Sequence, residues 1–149
     1  MKLVIDTNVF IDGDLDDNSY ANKIVDEILN GRIQVFANPA TVREYGLILQ
    51  RLVKNKEYRA KLRSCFGKVN LVPEMRIEAE IVDPEDNKIL ASAVTGQVQY
   101  LVTSDSDLLS LKEYGGIPIV PPADFWAVYK EKMLGENDWE KFVTQFFKD

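Results

Sequence analysis

Lys2-Leu3-Val4-Ile5-Asp6-Thr7-Asn8-Val9-Phe10 opens the chain: a short apolar run that delivers one carboxylate at its end. Much further on, Tyr100-Leu101-Val102-Thr103-Ser104-Asp105-Ser106-Asp107 repeats the plan. Uninterrupted β-branched runs of this length read as buried strands. In open α/β sheets, ligands gather outside the carboxyl ends of the parallel strands, so an Asp at each strand tip is well placed for a shared acidic site. Clustered carboxylates repel one another, and a bound cation or a raised pKa is the usual outcome.

Between and beyond these runs, strands and helices alternate. Tyr20 to Leu29 has apolar residues at helical spacing and stops at Asn30-Gly31. Ile33–Ala37 reads as a second strand, after which Pro39 opens a helix at its first turn, and a charged helix covers about 57–66. Val69–Val72 reads as a third strand, and Arg76 to Val82 as helical. Asp83-Pro84-Glu85-Asp86 is a strong helix start, with a capping Asp, Pro in the first turn and acids that suit the helix dipole. Tyr100–Val102 and Ile117–Val120 complete five strands, with a short helix over Asp105–Lys112 between them. Two helices follow, around Ala123–Leu134 and Asp138–Phe147, and the stretch from Asp12 to Ser19 reads as an acidic loop. The alternation predicts an α/β protein, a mainly parallel sheet of about five strands wrapped by helices on both faces.

The chain has 149 residues, one domain's worth, and a chain of that size buries roughly 70% of its unfolded surface. Hydrophobic residues make up 46% and charged residues 28%, the balance of an ordinary globular domain. There is one cysteine, Cys65, and no histidine. Internal disulfides, Cys- or His-based zinc sites, Ser–His triads and imidazole acid–base pairs are therefore excluded. Any catalysis must use carboxylates, hydroxyls, amines or a hard metal ion. The formal charge of −6 has the wrong sign for passive, charge-driven nucleic-acid binding. A local basic patch exists nonetheless: Arg51, Lys54, Lys56, Arg59, Lys61, Arg63 and Lys68 face a single acid, Glu57, in that stretch. No signal peptide or membrane-length apolar run is evident, and the expected location is cytoplasmic.

Each acid also has a local explanation. Asp6 suits a turn or a helix cap, Glu44 suits the polar face of its helix, and Asp83, Asp86, Asp105 and Asp107 suit helix starts. Together these explanations strain, because three helix starts that follow apolar segments all supply acids. Oxygen-only ligation selects Mg²⁺ or Mn²⁺ over softer metals. Thr103 is positioned to hydrogen-bond such a cluster, and Asn8 to orient a carboxylate or a phosphate.

Four blocks resemble the PIN-domain ribonucleases, especially the VapC-like toxins of toxin–antitoxin pairs. Val4-Ile5-Asp6-Thr7-Asn8-Val9-Phe10-Ile11 matches the family's start, and Asn38-Pro39-Ala40-Thr41-Val42-Arg43-Glu44-Tyr45 its second acidic helix. Asp83 through Ala93 is similar to the third block, and Val102 through Leu109 to the closing one. Pro121-Pro122-Ala123-Asp124-Phe125-Trp126 resembles the ending of a toxin subgroup with a Pro-x-x-Phe motif, so the likeness spans about residues 2–126.

The resemblance implies a three-layer α/β/α sandwich forming a single PIN domain over 1–149, with a helical extension at about 127–149. It also implies a divalent-metal-dependent endoribonuclease, hydrolysing RNA phosphodiester bonds with metal-activated water. Asp6, Glu44, Asp86 and Asp105 would be the catalytic and metal-holding acids. Asn8, Thr103, Asp107 and Arg43 would support them or bind RNA, with Arg51, Lys54 and Lys56 as further RNA contacts. The cofactor would be Mg²⁺ (or Mn²⁺), and the partners RNA, an antitoxin protein and a second copy in a homodimer, with no membrane. The alternatives are a PIN-like nuclease outside a toxin–antitoxin pair, or a catalytically silent PIN-fold binding module. A haloacid-dehalogenase-like phosphatase is disfavoured because Asn8 stands where its second Asp is needed. A phosphoacceptor receiver is disfavoured because Asp6 has no acidic neighbour and no Lys ends the last strand.

Overall fold

The computed structural model describes residues 1–14, 19–75, 77 and 83–133. Strand β1 (Lys2–Ile5) lies at the centre of the sheet and pairs in parallel with β2 (Gln34–Ala37) and β4 (Tyr100–Val102). Their partners β3 (Asn70–Leu71) and β6 (Ile117–Val120) are parallel too, and β5 (Glu113–Tyr114) closes one edge antiparallel to β6. The order is β3-β2-β1-β4-β6-β5, six strands where the sequence suggested about five.

The added strand comes from a tight hairpin. Gly115 and Gly116 carry φ of 57° and 79°, and Tyr114 pairs with Ile117 across them. Two consecutive residues at positive φ make the two-residue hairpin turn that suits strand twist, and glycine reaches it at no steric cost. Both edge strands are only two residues long.

Helices α1 (Thr7–Asp12), α2 (Tyr20–Leu29), α3 (Pro39–Arg51) and α4 (Lys56–Phe66) share one core with Leu3, Ile5, Val35 and Val102. A second core joins Val4 and Leu101 to α5 (Pro84–Thr95) and α6 (Ser106–Ser110) through Ile89, Leu90, Ala93 and Leu108. Adjacent strand residues alternate between the two cores, so each face of the sheet is covered by helices. The result is the expected three-layer arrangement. Residues 122–133 are helical, and Phe125 and Tyr129 pack into the first core. The helices expected at 76–82 and 138–147 lie outside the described residues, apart from residue 77.

Helix α1 was not foreseen. It starts directly after Asp6, which stands at its N-cap with extended backbone (φ −66°, ψ 142°). Val9 and Phe10 then turn inward and are 1% exposed. Burying two such side chains stabilises by about 1.5–3 kcal/mol each, which outweighs the modest helix propensity of Thr, Asn, Val and Phe. Phe10 meets Tyr45 and Phe66 edge-on at ring separations of 5.0 and 5.1 Å, tying α1 to α3 and α4. The Tyr58 hydroxyl donates to the Phe10 carbonyl, and its ring lies so close to Gly13 that a Cβ there would fall 2.3 Å away.

Candidate metal centre at the strand tips

The parallel strands β1, β2 and β4 all end on the same rim of the sheet, and that rim collects the acids. Asp6 follows β1 and is 7% exposed. Its carboxylate makes no capping bond to α1; instead Oδ2 accepts a hydrogen bond from the Thr103 hydroxyl at 2.8 Å. Thr103, fully buried just after β4, also accepts the Asp105 amide proton at 3.0 Å. One hydroxyl thus orients two acids from strands 97 residues apart in sequence. Beneath them, the buried Tyr45 hydroxyl donates to the Ile5 carbonyl and fixes the last turn of backbone before Asp6.

Asp86 lies in the first turn of α5 and is 6% exposed. Asp83 caps that helix by accepting from the Glu85 amide at 2.9 Å, so the cap is filled and Asp86 is not needed for it. Oxygens of Asp86, Asp105 and Asp107 lie within 4.8 Å of one another. Asp86 Oδ2 is buried without a hydrogen-bond partner among the described residues. An orphaned buried carboxylate oxygen is costly, and it is what an acid prepared for a cation looks like.

Electrostatics tie the group together through Asp6. Burial pushes the Asp6 carboxyl up, the Thr103 bond opposes that, and the charge of Asp105 adds to the rise. Asp86 is raised to about 6 by burial first, then by the charges of Asp105, Asp83 and Asp6. Glu44, exposed on α3, is raised chiefly by desolvation, with Asp6 and Glu85 contributing. The Thr7 hydroxyl favours the charged form of Glu44, though Thr7 Oγ1 makes no hydrogen bond of normal geometry. The charge of Asp6 therefore reaches Glu44 on α3 and Asp86 on α5, and that of Asp105 reaches both Asp6 and Asp86.

The supporting residues divide. Thr103 bonds Asp6, and Asp107 stands beside Asp86 and Asp105. Asn8 and Arg43 are exposed. Asp14, in the acidic stretch, has a structural partner: its carboxylate accepts from the Lys54 and Asn55 amides at the start of α4. Residues 15–18 of that stretch lie outside the described residues.

Sequence reading missed the clasp between α3 and α5. Buried Asn38 caps α3 through the Thr41 amide and donates to Ser92 Oγ at 3.1 Å, and Ser92 in turn donates to the Lys88 carbonyl. The bond from Asn38 to Ser92 crosses 54 residues of sequence, which no local pattern signals. The clasp fixes the helix of Glu44 against the helix of Asp86.

The donor set suits a hard divalent cation. Every candidate ligand is a carboxylate oxygen, one of them orphaned, and Cys65 is buried with its thiol pushed up to about 12.

A parallel sheet sandwiched by helices, with acids converging on its carboxyl rim, defines an α/β protein with a metal-site candidate at its strand tips. The PIN-domain family model matches residues 2–107, and the chain belongs to that family. It is 29% identical over 119 residues to the uncharacterized protein MJ1680 of Methanocaldococcus jannaschii, covering 76% of each chain. A chain in the crystal structure of VapBC2 from Rickettsia felis, bound to a DNA fragment from their promoter, has the same fold. The TM-score is 0.53 at 13% identity, over 80% of this chain and 97% of that one.

Proposed function

We propose that the protein is a divalent-metal-dependent endoribonuclease and the toxin of a type II toxin–antitoxin pair. The observation that carries the nuclease reading is the group of Asp86, Asp105 and Asp107 at one rim, tied to Asp6 through Thr103, with a buried carboxylate oxygen that has no hydrogen-bond partner among the described residues, in a PIN-domain chain. Asp6, Glu44, Asp86 and Asp105 would hold Mg²⁺ or Mn²⁺, with Asp107 joining them. When bound, such a cation lowers the pKa of water and offsets the charge that builds on a phosphodiester under attack.

The chain's own residues do the positioning. Thr103 locks the carboxylates of Asp6 and the backbone of Asp105 in one orientation, and the Asn38–Ser92 clasp sets Glu44 against Asp86. Exposed Arg43 beside Glu44, and Arg51, Lys54 and Lys56 beyond it, supply positive charge for an RNA backbone in a protein that is acidic overall. An RNA substrate puts this work in the cytoplasm. The toxin reading is supported by the fold shared with a VapBC2 chain, and it carries with it an antitoxin protein and a homodimer as partners.

The test is direct. Purified protein should cut single-stranded RNA with Mg²⁺ or Mn²⁺, stop on chelation and resume on readdition, while Asp6→Asn stays folded by circular dichroism but inert. Cutting that survives chelation, or an active Asp6→Asn, would refute the metal mechanism. Copurification with a small neighbouring-gene product tests the toxin reading separately.

A further inference from the structure

A second feature lies beside the acids. A cavity of about 480 Å³ is walled by Asp12, Tyr20, Lys23, Ser104 and Pro122, within the range of pockets that hold small organic ligands. It is continuous in sequence with the proposed metal centre on two sides. Ser104 directly precedes Asp105, and Asp12 ends the helix that begins just after Asp6. Tyr20, the first residue of α2, is 46% exposed. A lone exposed tyrosine is unremarkable on a protein surface; this one walls a cavity next to a candidate phosphodiester site. The Lys23 ammonium sits 5.3 Å from the centre of the Tyr20 ring, and among the described residues it has no ion pair.

We propose that this cavity takes the nucleotide flanking the scissile phosphate of single-stranded RNA, its base stacked on Tyr20 and a phosphate held by Lys23. The inference rests on the nuclease reading and locates that reading's substrate. An aromatic face gives a base a sequence-tolerant platform, available only to a base that is not already paired and stacked. A carboxylate repels phosphate, so Asp12 fits a donor on the ligand, such as a base amino group or the 2′-hydroxyl, with the Ser104 hydroxyl as a second polar contact. In a chain of net charge −6, a cation beside the acids also lowers the barrier to bringing in an anionic strand.

The test measures binding and cleavage apart. In an Asp105→Asn background, fluorescence anisotropy with a labelled, unstructured RNA heptamer should show Tyr20→Ala weakening binding on the order of tenfold, the scale of one stacked base. Tyr20→Phe keeps the ring and should stay within about twofold. Lys23→Ala should weaken binding and reduce the slope of affinity against salt by about one. The otherwise unaltered parent should turn over bis(p-nitrophenyl) phosphate with Mn²⁺, a diester with no base to stack, which reads the metal centre apart from the cavity. Equal RNA affinity for Tyr20→Ala and its parent overturns the pocket. If the parent still hydrolyses the small diester in that case, the nuclease reading stands without it. A parent that hydrolyses neither RNA nor the small diester refutes the nuclease reading and the pocket together.

Discussion

The two rims of the sheet follow opposite rules. At the amino ends of the strands, charges and polar groups are paired: Arg32 with Glu27 at 3.1 Å, the Tyr129 hydroxyl with Glu27, and the Lys2 amide with the Gln99 side chain. At the carboxyl ends, acids crowd together, one oxygen is orphaned, and carboxyl pKa values are driven upward. The same backbone carries both, so the fold does not require the crowding. The imbalance marks the carboxyl rim as the candidate functional site.

The largest effect expected from breaking that asymmetry is on cleavage. Asp86→Asn keeps the shape of the side chain but removes its charge, and should lower RNA cleavage by at least about 10²-fold, the scale of losing one preorganised charged group. Rates from purified protein check it, and near-normal cleavage would take Asp86 out of the site. Next comes Thr103→Val, which removes both the donor to Asp6 and the acceptor for the Asp105 amide. It should weaken metal binding or activity by about 10–100-fold, with Thr103→Ser largely restoring it. Isothermal titration with Mn²⁺ reads this without any RNA.

A smaller effect concerns pH. Asp86 titrates at about 6 in the fold against 3.8 for an unperturbed Asp, so the folded chain holds that proton more tightly than the unfolded chain does. Its contribution to stability is present at acidic pH and is lost as the pH rises through about 6. In chelator, melting curves of the parent and Asp86→Asn should therefore diverge between pH 4.5 and 7.5, with the parent losing more. Mg²⁺ or Mn²⁺ should recover the loss at the upper pH, because a ligand of the folded state alone stabilises it. Parallel pH profiles for the two proteins would show that the carboxyl rim is not strained. The least effect belongs to the amino rim: Arg32→Ala breaks a pair that is half exposed on the Arg side, and should cost no more than about 1 kcal/mol with cleavage unchanged.

Most of the architecture was readable because β-branched runs and Asp-Pro or Asn-Pro starts give strong local signals. Helix α2 spans the expected Tyr20–Leu29, and α5 begins at Pro84 behind Asp83. Helix α1 was missed because Thr-Asn-Val-Phe has no helical signature of its own; the core around Val9 and Phe10 imposes it. Strand β5 was missed because two residues cannot show a period, although Gly115-Gly116 announced the turn.

The sequence offered the acids as candidates, and the structure brings Asp86, Asp105 and Asp107 within reach of one another, but the work each acid does locally was not legible. Asp83 is a helix cap, Asp6 is not, and Asp105 is both, accepting the Asp107 amide while facing Asp86. Sequence offers the same capping explanation for all three. Only the three-dimensional destination of each carboxylate separates them.

The two-residue strands at either edge have an effect outside the site. A sheet whose rims expose so little ladder gives a neighbouring copy scarcely any backbone to extend, so self-association by strand addition is discouraged. Resistance to aggregation is thereby built into the sheet's own margins.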